Sequence, residues 1–181
     1  MQKTPILIGL LALVLAGWQA LERYSFSSQE STLTVSGTST LHDWSCDVTK
    51  VEGWAESPDP GSVVGAQLRV VVEDIECGKR TMNRKLQEAL LADAHPRITF
   101  VTREIVSDGN GLIARGTLSI AGADHSLEFP VQSEFAPGSY RFRGSVTLSL
   151  EKMGLDRPSA LMGTVKTGDE VTVSFDVKAG A

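Results

Sequence analysis

After residue 31, apolar side chains recur at every second position, the period of a strand with one buried face. Residues 32–41 set Leu33, Val35, Gly37, Ser39 and Leu41 on one side. Residues 48–55 read as the next strand. The turn Ser57-Pro58-Asp59-Pro60-Gly61 follows, because two prolines and a glycine cannot continue a ladder. Residues 63–75 place Leu68, Val70 and Val72 on one face and Arg69, Val71 and Glu73 on the other. Further alternating runs cover 98–106, 111–121, 126–135, 140–150 and 170–178. Links as short as Ala136-Pro137-Gly138-Ser139 favour antiparallel neighbours. One stretch has a different period. Over 79–91, Met82, Leu86 and Leu90 recur every four residues with Arg80, Arg84, Lys85 and Glu88 on other faces, which predicts a short helix that Pro96 cannot let continue. Residues 155–167 form a less regular return segment.

Many short antiparallel strands with one helix predict a mainly β chain closed, or nearly closed, into a barrel, since closure removes exposed edges. A barrel of about eight strands either holds one small ligand or fills itself with side chains. A β-sandwich is the alternative architecture. Residues 1–20 read as a signal peptide: Lys3 gives a positive start, and the apolar run 6–16 is short for a bilayer span. Ala16, Gly17 and Ala20 offer cleavage points, and an uncleaved anchor is the competing reading. No Cys follows the run, so a lipoprotein anchor is not expected. The expected mature domain is 21–181, exported to a periplasm.

The 181 residues carry a net charge of −5, with 41% hydrophobic and 22% charged residues, ordinary for a globular domain. No basic patch stands out to neutralise phosphates, so nucleic acid is not an expected partner. Cys46 and Cys77 are the two cysteines. In an oxidising compartment an isolated even pair is most simply a disulfide, and closing a loop of that length is worth about 3–4 kcal/mol in the chain-entropy model. The spacing fits neither CxxC redox chemistry nor haem attachment.

Candidate chemistry is sparse. In Gly37-Thr38-Ser39-Thr40-Leu41-His42-Asp43-Trp44, Ser, His and Asp are close in sequence, but neighbours on a strand point to opposite faces. There is no Gly-x-Ser-x-Gly elbow. The milder reading is a strand end in which Asp43 accepts backbone N–H groups and Trp44 lines or plugs the barrel. His42, His95 and His125 show no metal-ligand spacing and read as surface or turn residues. No pair of carboxylates is selected for acid–base work, and no cofactor is expected.

The order of phrases carries more. A helical segment leads into His95-Pro96-Arg97-Ile98-Thr99-Phe100. Then come Asp108-Gly109-Asn110-Gly111 and Gly116-Thr117-Leu118-Ser119-Ile120-Ala121-Gly122. Toward the C-terminus, Gly144-Ser145-Val146-Thr147-Leu148 precedes Lys152-Met153-Gly154-Leu155, Pro158, Leu161-Met162-Gly163 and Val165-Lys166-Thr167-Gly168-Asp169-Glu170-Val171. This set resembles the YceI-like family of exported, lipocalin-like lipid-binding proteins over nearly all of the mature chain. The resemblance implies an extended antiparallel barrel with one short helix packed against it, whose lumen holds a polyisoprenoid or similar long-chain lipid without covalent chemistry.

The candidate ligand-binding residues are Val35, His42, Trp44, Leu68, Val70, Ile98, Phe100, Leu118, Ile120, Phe129, Phe142, Leu148, Met153 and Met162. Small residues such as Gly37, Ser39 and Gly116 are expected to leave lumen space, and Met153 and Met162 to give an adaptable mouth. Expected partners are an isoprenoid or other apolar chain, a quinone included, with transient contact to a membrane surface. A dimer is one permitted assembly. Two rival readings stand beside this one: an enzyme acting on a small apolar substrate at the mouth through His42, and a filled barrel serving as a stress-response or interaction module.

Overall fold

The computed structural model describes residues 21–107, 109, 111–160 and 165–181. The expected leader, Asp108, Asn110, Leu161 and Met162 lie outside the described residues. The described chain forms β1 (Glu22–Phe26), β2 (Thr32–Ser39), β3 (Trp44–Val48), β4 (Glu52–Ser57), β5 (Gly65–Val71) and β6 (Ile75–Glu76). Helix α1 (Arg80–Ala89) follows, then β7 (Arg97–Ser107), β8 (Leu112–Ile120), β9 (Ala123–Ala136), β10 (Ser139–Ser149), β11 (Ser159–Ala160) and β12 (Val165–Gly180).

Strands β1, β4, β5, β7, β8, β9, β10 and β12 are neighbours in that order, and Phe26 opposite Ala179 returns β12 to β1. Eight antiparallel strands therefore close the expected barrel. β12 has β10 along one edge, while its other edge meets β2 first and β1 last. A single 3-10 turn, Ser28–Glu30, bends the chain between β1 and β2. Beyond β2, strands β3 and β6 form a flap that leaves the ring.

Helix α1 covers the side of the barrel between this flap and β5. Its Leu86 and Leu90 pack with Val48, Val70, Ile75 and Ile98, as the four-residue repeat requires. Two ties hold it there. Cys46 on β3 is disulfide-bonded to Cys77, and Asn83 accepts the Cys77 N–H at 2.8 Å while donating to Glu76 at 2.8 Å.

Three readings of the pattern need correction. Residues 48–55 are not one strand: the chain turns at 49–51, where Val51 is buried and donates its N–H to Ser28 Oγ at 3.0 Å. β3 and β4 thus belong to different walls. Gly53 adopts φ +140°, and a Cβ there would lie 1.9 Å from the Gln67 carbonyl oxygen, so β4 approaches β5 only because this residue is glycine. Leu41 lies past the end of β2 and is 67% exposed. β1 shows no period in the sequence, yet it carries Tyr24, buried edge-to-face against Tyr140 at 4.9 Å.

Tyr24 and Tyr140 help seal the end of the barrel where β1 begins and β12 ends, with Ala55, Phe142, Val177 and Ala179. The Tyr140 hydroxyl accepts the Gly61 N–H at 2.8 Å and is hydrogen-bonded to Ser57 Oγ at 2.8 Å. This end is called the lower one below.

Candidate functional site

Strand alternation sends every second side chain inward, and the pattern is apolar all round the ring. β7 contributes Ile98 and Phe100, β8 Leu118 and Ile120, β9 Leu127 and Phe129, β10 Val146 and Leu148, and β12 Val173 and Phe175. Together with α1 and the flap they enclose a cavity of about 270 Å³. Ile98, Phe100, Leu127, Phe129, Val146, Leu148, Val173 and Phe175 point inward yet are only half-buried. They pack in part on one another and leave the rest of their surface facing unfilled space, which distinguishes a container from a filled core.

An aromatic waist crosses the lumen. Phe129 lies 5.2 Å from Phe100 and 5.9 Å from Phe175, ring centre to ring centre. Gly37 and Gly116, expected to leave space, instead admit rings, and Gly144 does the same. A Cβ on Gly116 would meet the Phe100 ring at 2.6 Å, one on Gly144 the Phe175 ring at 2.7 Å, and one on Gly37 the Trp44 ring at 2.6 Å. The glycines narrow the middle of the lumen, because a missing Cβ lets an aromatic neighbour lie flat against the strand.

The lining is almost free of polar groups. Thr102, Thr167 and Asp156 are its polar members among the described residues, and no Lys, Arg or His takes part. Asp156 is exposed, so the cavity reaches water beside the segment carrying Met153 and Leu155. Other charges lie on the outer face. There Arg141 and Arg143 both donate to Asp176, and the Arg141 guanidinium foremost holds that carboxyl below its ordinary pKa.

Of the candidate residues, Val35, Trp44, Leu68, Val70, Ile98 and Phe100 line the cavity, as do Leu118, Ile120, Phe129, Phe142, Leu148 and Met153. Met162 lies outside the described residues. His42 is misplaced by the sequence reading. β2 ends at Ser39, and residues 40–43 form an exposed turn beyond the rim, where His42 Nδ1 sits 2.7 Å from the Asp43 carbonyl oxygen. Ser39, and not Asp43, orders this turn: its Oγ accepts the Leu41 and His42 N–H groups and donates to the His42 carbonyl. Ser39, His42 and Asp43 therefore form a turn and not a triad.

His125 is also misread as a surface residue. It lies opposite Leu118 on the inward face of β9, and its Nε2 is buried without a hydrogen-bond partner. Among the described residues no cluster of His, Cys, Asp or Glu is arranged to hold a metal ion. Lining residues outside the candidate set include Leu86, Ala89 and Leu90 of α1 and Phe26 of β1. The apolar face of the helix was the available signal for the first group. β1 has too few residues to show a period.

A closed antiparallel barrel with an apolar, partly empty lumen and a helix at its flank defines a lipocalin-like binding fold. The chain belongs to the YceI-like family: the model of the YceI-like domain matches residues 24–179. Among solved structures, BcnA of Burkholderia cenocepacia is similar at 19% identity and TM-score 0.73, covering 85% of this chain and 99% of its own. A polyisoprenoid-binding domain from Saccharophagus degradans, implicated in plant cell wall breakdown, is similar at 14% identity and TM-score 0.62, covering 87% and 98%. The YceI protein of Campylobacter jejuni is similar at 14% identity and TM-score 0.64, covering 75% and 84%. No curated protein matches the sequence.

Proposed function

We propose that this protein binds and carries a polyisoprenoid or similar single-chain lipid, a lipid-like quinone included, in the periplasm and without covalent chemistry. The observation that carries the reading is the ring of inward, half-buried apolar side chains around a cavity of about 270 Å³. A chain-like ligand completes the contacts these side chains lack. Burying ~300 Å² of apolar chain is worth about 7 kcal/mol at ~25 cal/mol per Å². Ordering the chain offsets part of that and leaves a moderate affinity. The apolar lining favours cargo whose buried part is uncharged, since among the described lining residues an anion would find no Lys, Arg or His to pair with. Membership of the family, and the polyisoprenoid-binding description of the S. degradans domain, support the same class of ligand.

The test is organic extraction of the mature protein purified from its native compartment, followed by mass spectrometry. A stoichiometric long-chain lipid is expected. Phe100→Asp, which sets a carboxylate in the waist, is expected to abolish retention in protein that still folds. An empty extract from well-folded native protein, or full retention by the variant, removes the lumen as the lipid site.

A further inference from the structure

We propose that the cargo enters and leaves through the side of the barrel, by a seam between β9 and β10. The proposal rests on the lumen being the lipid site. The β9–β10 ladder runs from Ser139 opposite Ala136 to Gly144 opposite Val131 and stops there. Above that level β9 continues to Ala123, held by β8 alone, and β10 continues to Ser149, held by β12 alone. Residues 123–130 and 145–149 therefore present two strand edges to each other with no ladder between them.

The sequence supplies the cause at the point of parting. The Pro130 carbonyl oxygen faces β10, lying 2.8 Å from where a Cβ on Gly144 would sit. In a strand the nitrogen of a residue faces the same neighbour as its carbonyl. The nitrogen of Pro130 carries no hydrogen, so the ladder loses a donor there, the usual consequence of proline at a strand edge. Gly144 allows the last close approach before the strands separate. Outside, at the foot of the seam, lies an open groove of about 360 Å³ lined by Pro130, Val131, Gln132, Gly144 and Ser145 among others.

Side chains close the seam from within. Leu127 of β9 and Leu148 of β10 belong to one cluster with Leu118, Met153 and Leu155. Moving aliphatic side chains between rotamers is a nanosecond event, whereas parting a hydrogen-bonded ladder is a far slower, cooperative one. The other flanks are tied. The lower end is bonded through Tyr140, and α1 is fixed by the disulfide and Asn83. The seam is thus a part of the described wall whose opening breaks no ladder hydrogen bond, and the parting of two strands suits a single extended chain better than a fused-ring molecule.

The experiment closes the seam from outside. Glu128 and Thr147 have exposed side chains on the outer face on either side of it. Glu128→Cys with Thr147→Cys supplies the only free thiols, because both native cysteines are in the disulfide. The double variant is loaded with all-trans-retinol, an isoprenoid alcohol that fluoresces when removed from water, and then joined by a short bismaleimide. Release into lipid vesicles is followed and compared with each single variant treated with the same reagent. Release is expected to slow at least about tenfold in the bridged protein, with little change in equilibrium affinity, since a portal acts equally on entry and exit. Release at the rate of the single variants overturns the seam and assigns passage to the end of the barrel near Asp156. Failure of the unbridged protein to bind retinol or any extracted native lipid overturns the lipid reading itself, and the seam with it.

Discussion

The two ends of the barrel share one alternating pattern and use it to opposite effect. At the lower end Tyr24, Ala55, Tyr140 and Ala179 are almost fully buried, and none of them lines the cavity. Above the aromatic waist Leu118 and Ile120 are buried, but Ile98, Leu127, Val146, Leu148 and Val173 stay half-buried around open space. The difference comes from what the walls do. Below, β1 and β4 close the ring tightly and the Tyr140 hydroxyl binds the 57–62 turn. Above, β2 departs with the flap, α1 replaces a strand, and β9 parts from β10. Filling stabilises one end, and incomplete filling gives the other its capacity.

The largest effect expected from this contrast is in paired truncations. Tyr140→Ala removes a buried ring and should cost about 3–5 kcal/mol, as deletion of a large core aromatic does. Phe129→Ala enlarges a cavity that already exists and should cost about half as much, because less of its area is withdrawn from neighbours. Urea midpoints of the two variants measure the difference, and equal losses would erase the distinction between core and container.

Next is reduction of Cys46–Cys77, whose sequence separation is 31 residues. Releasing that loop should lower unfolding stability by about 3–4 kcal/mol. Because the link anchors the flap and helix, retinol affinity should fall with it. Unfolding curves and retinol titrations with and without reductant test both parts.

Gly116→Ala examines the waist. Its new methyl would meet the Val101 carbonyl oxygen at 2.4 Å as well as the Phe100 ring, and backbone cannot move aside cheaply. A loss of about 1–3 kcal/mol is expected, the range for overpacking. A neutral result in the same urea assay would mean that the ring is not seated on the glycine.

The smallest effect is a pH dependence at the lower end. The Tyr24 hydroxyl donates to Glu22 at 2.6 Å, and this bond, with burial second, pushes its pKa up to about 12. Unfolded tyrosine titrates near pH ~10. The raised value favours the neutral form in the folded chain, so its contribution is complete below about pH 10 and is lost as pH rises through about 12. The urea midpoint should fall more steeply across that window in the native chain than in Tyr24→Phe.

Much of the fold was legible in the chain. The runs at 98–106, 111–121 and 140–150 correspond to β7, β8 and β10, and the four-residue repeat of Met82, Leu86 and Leu90 to α1. What failed did so for local reasons. β1 is five residues long, too short for a period to show, and the break at 49–51 is set by Ser28, a partner distant in sequence. At the site, a strand residue's face followed from its parity, and eleven of the twelve candidates that line the cavity lie on strands, Met153 lying in the turn after β10. His42 did not follow, because parity carries no meaning once the strand has ended and a turn begun.

The sequence alone determined which side chains face inward, where the chain turns, and that two cysteines are present to be joined. Only the tertiary structure decided whether those inward faces meet. Alternation assigns a side chain to a face, but the distance to the opposite wall depends on strands far away in the chain. That distance made Tyr140 a core residue and Phe129 the wall of a lumen.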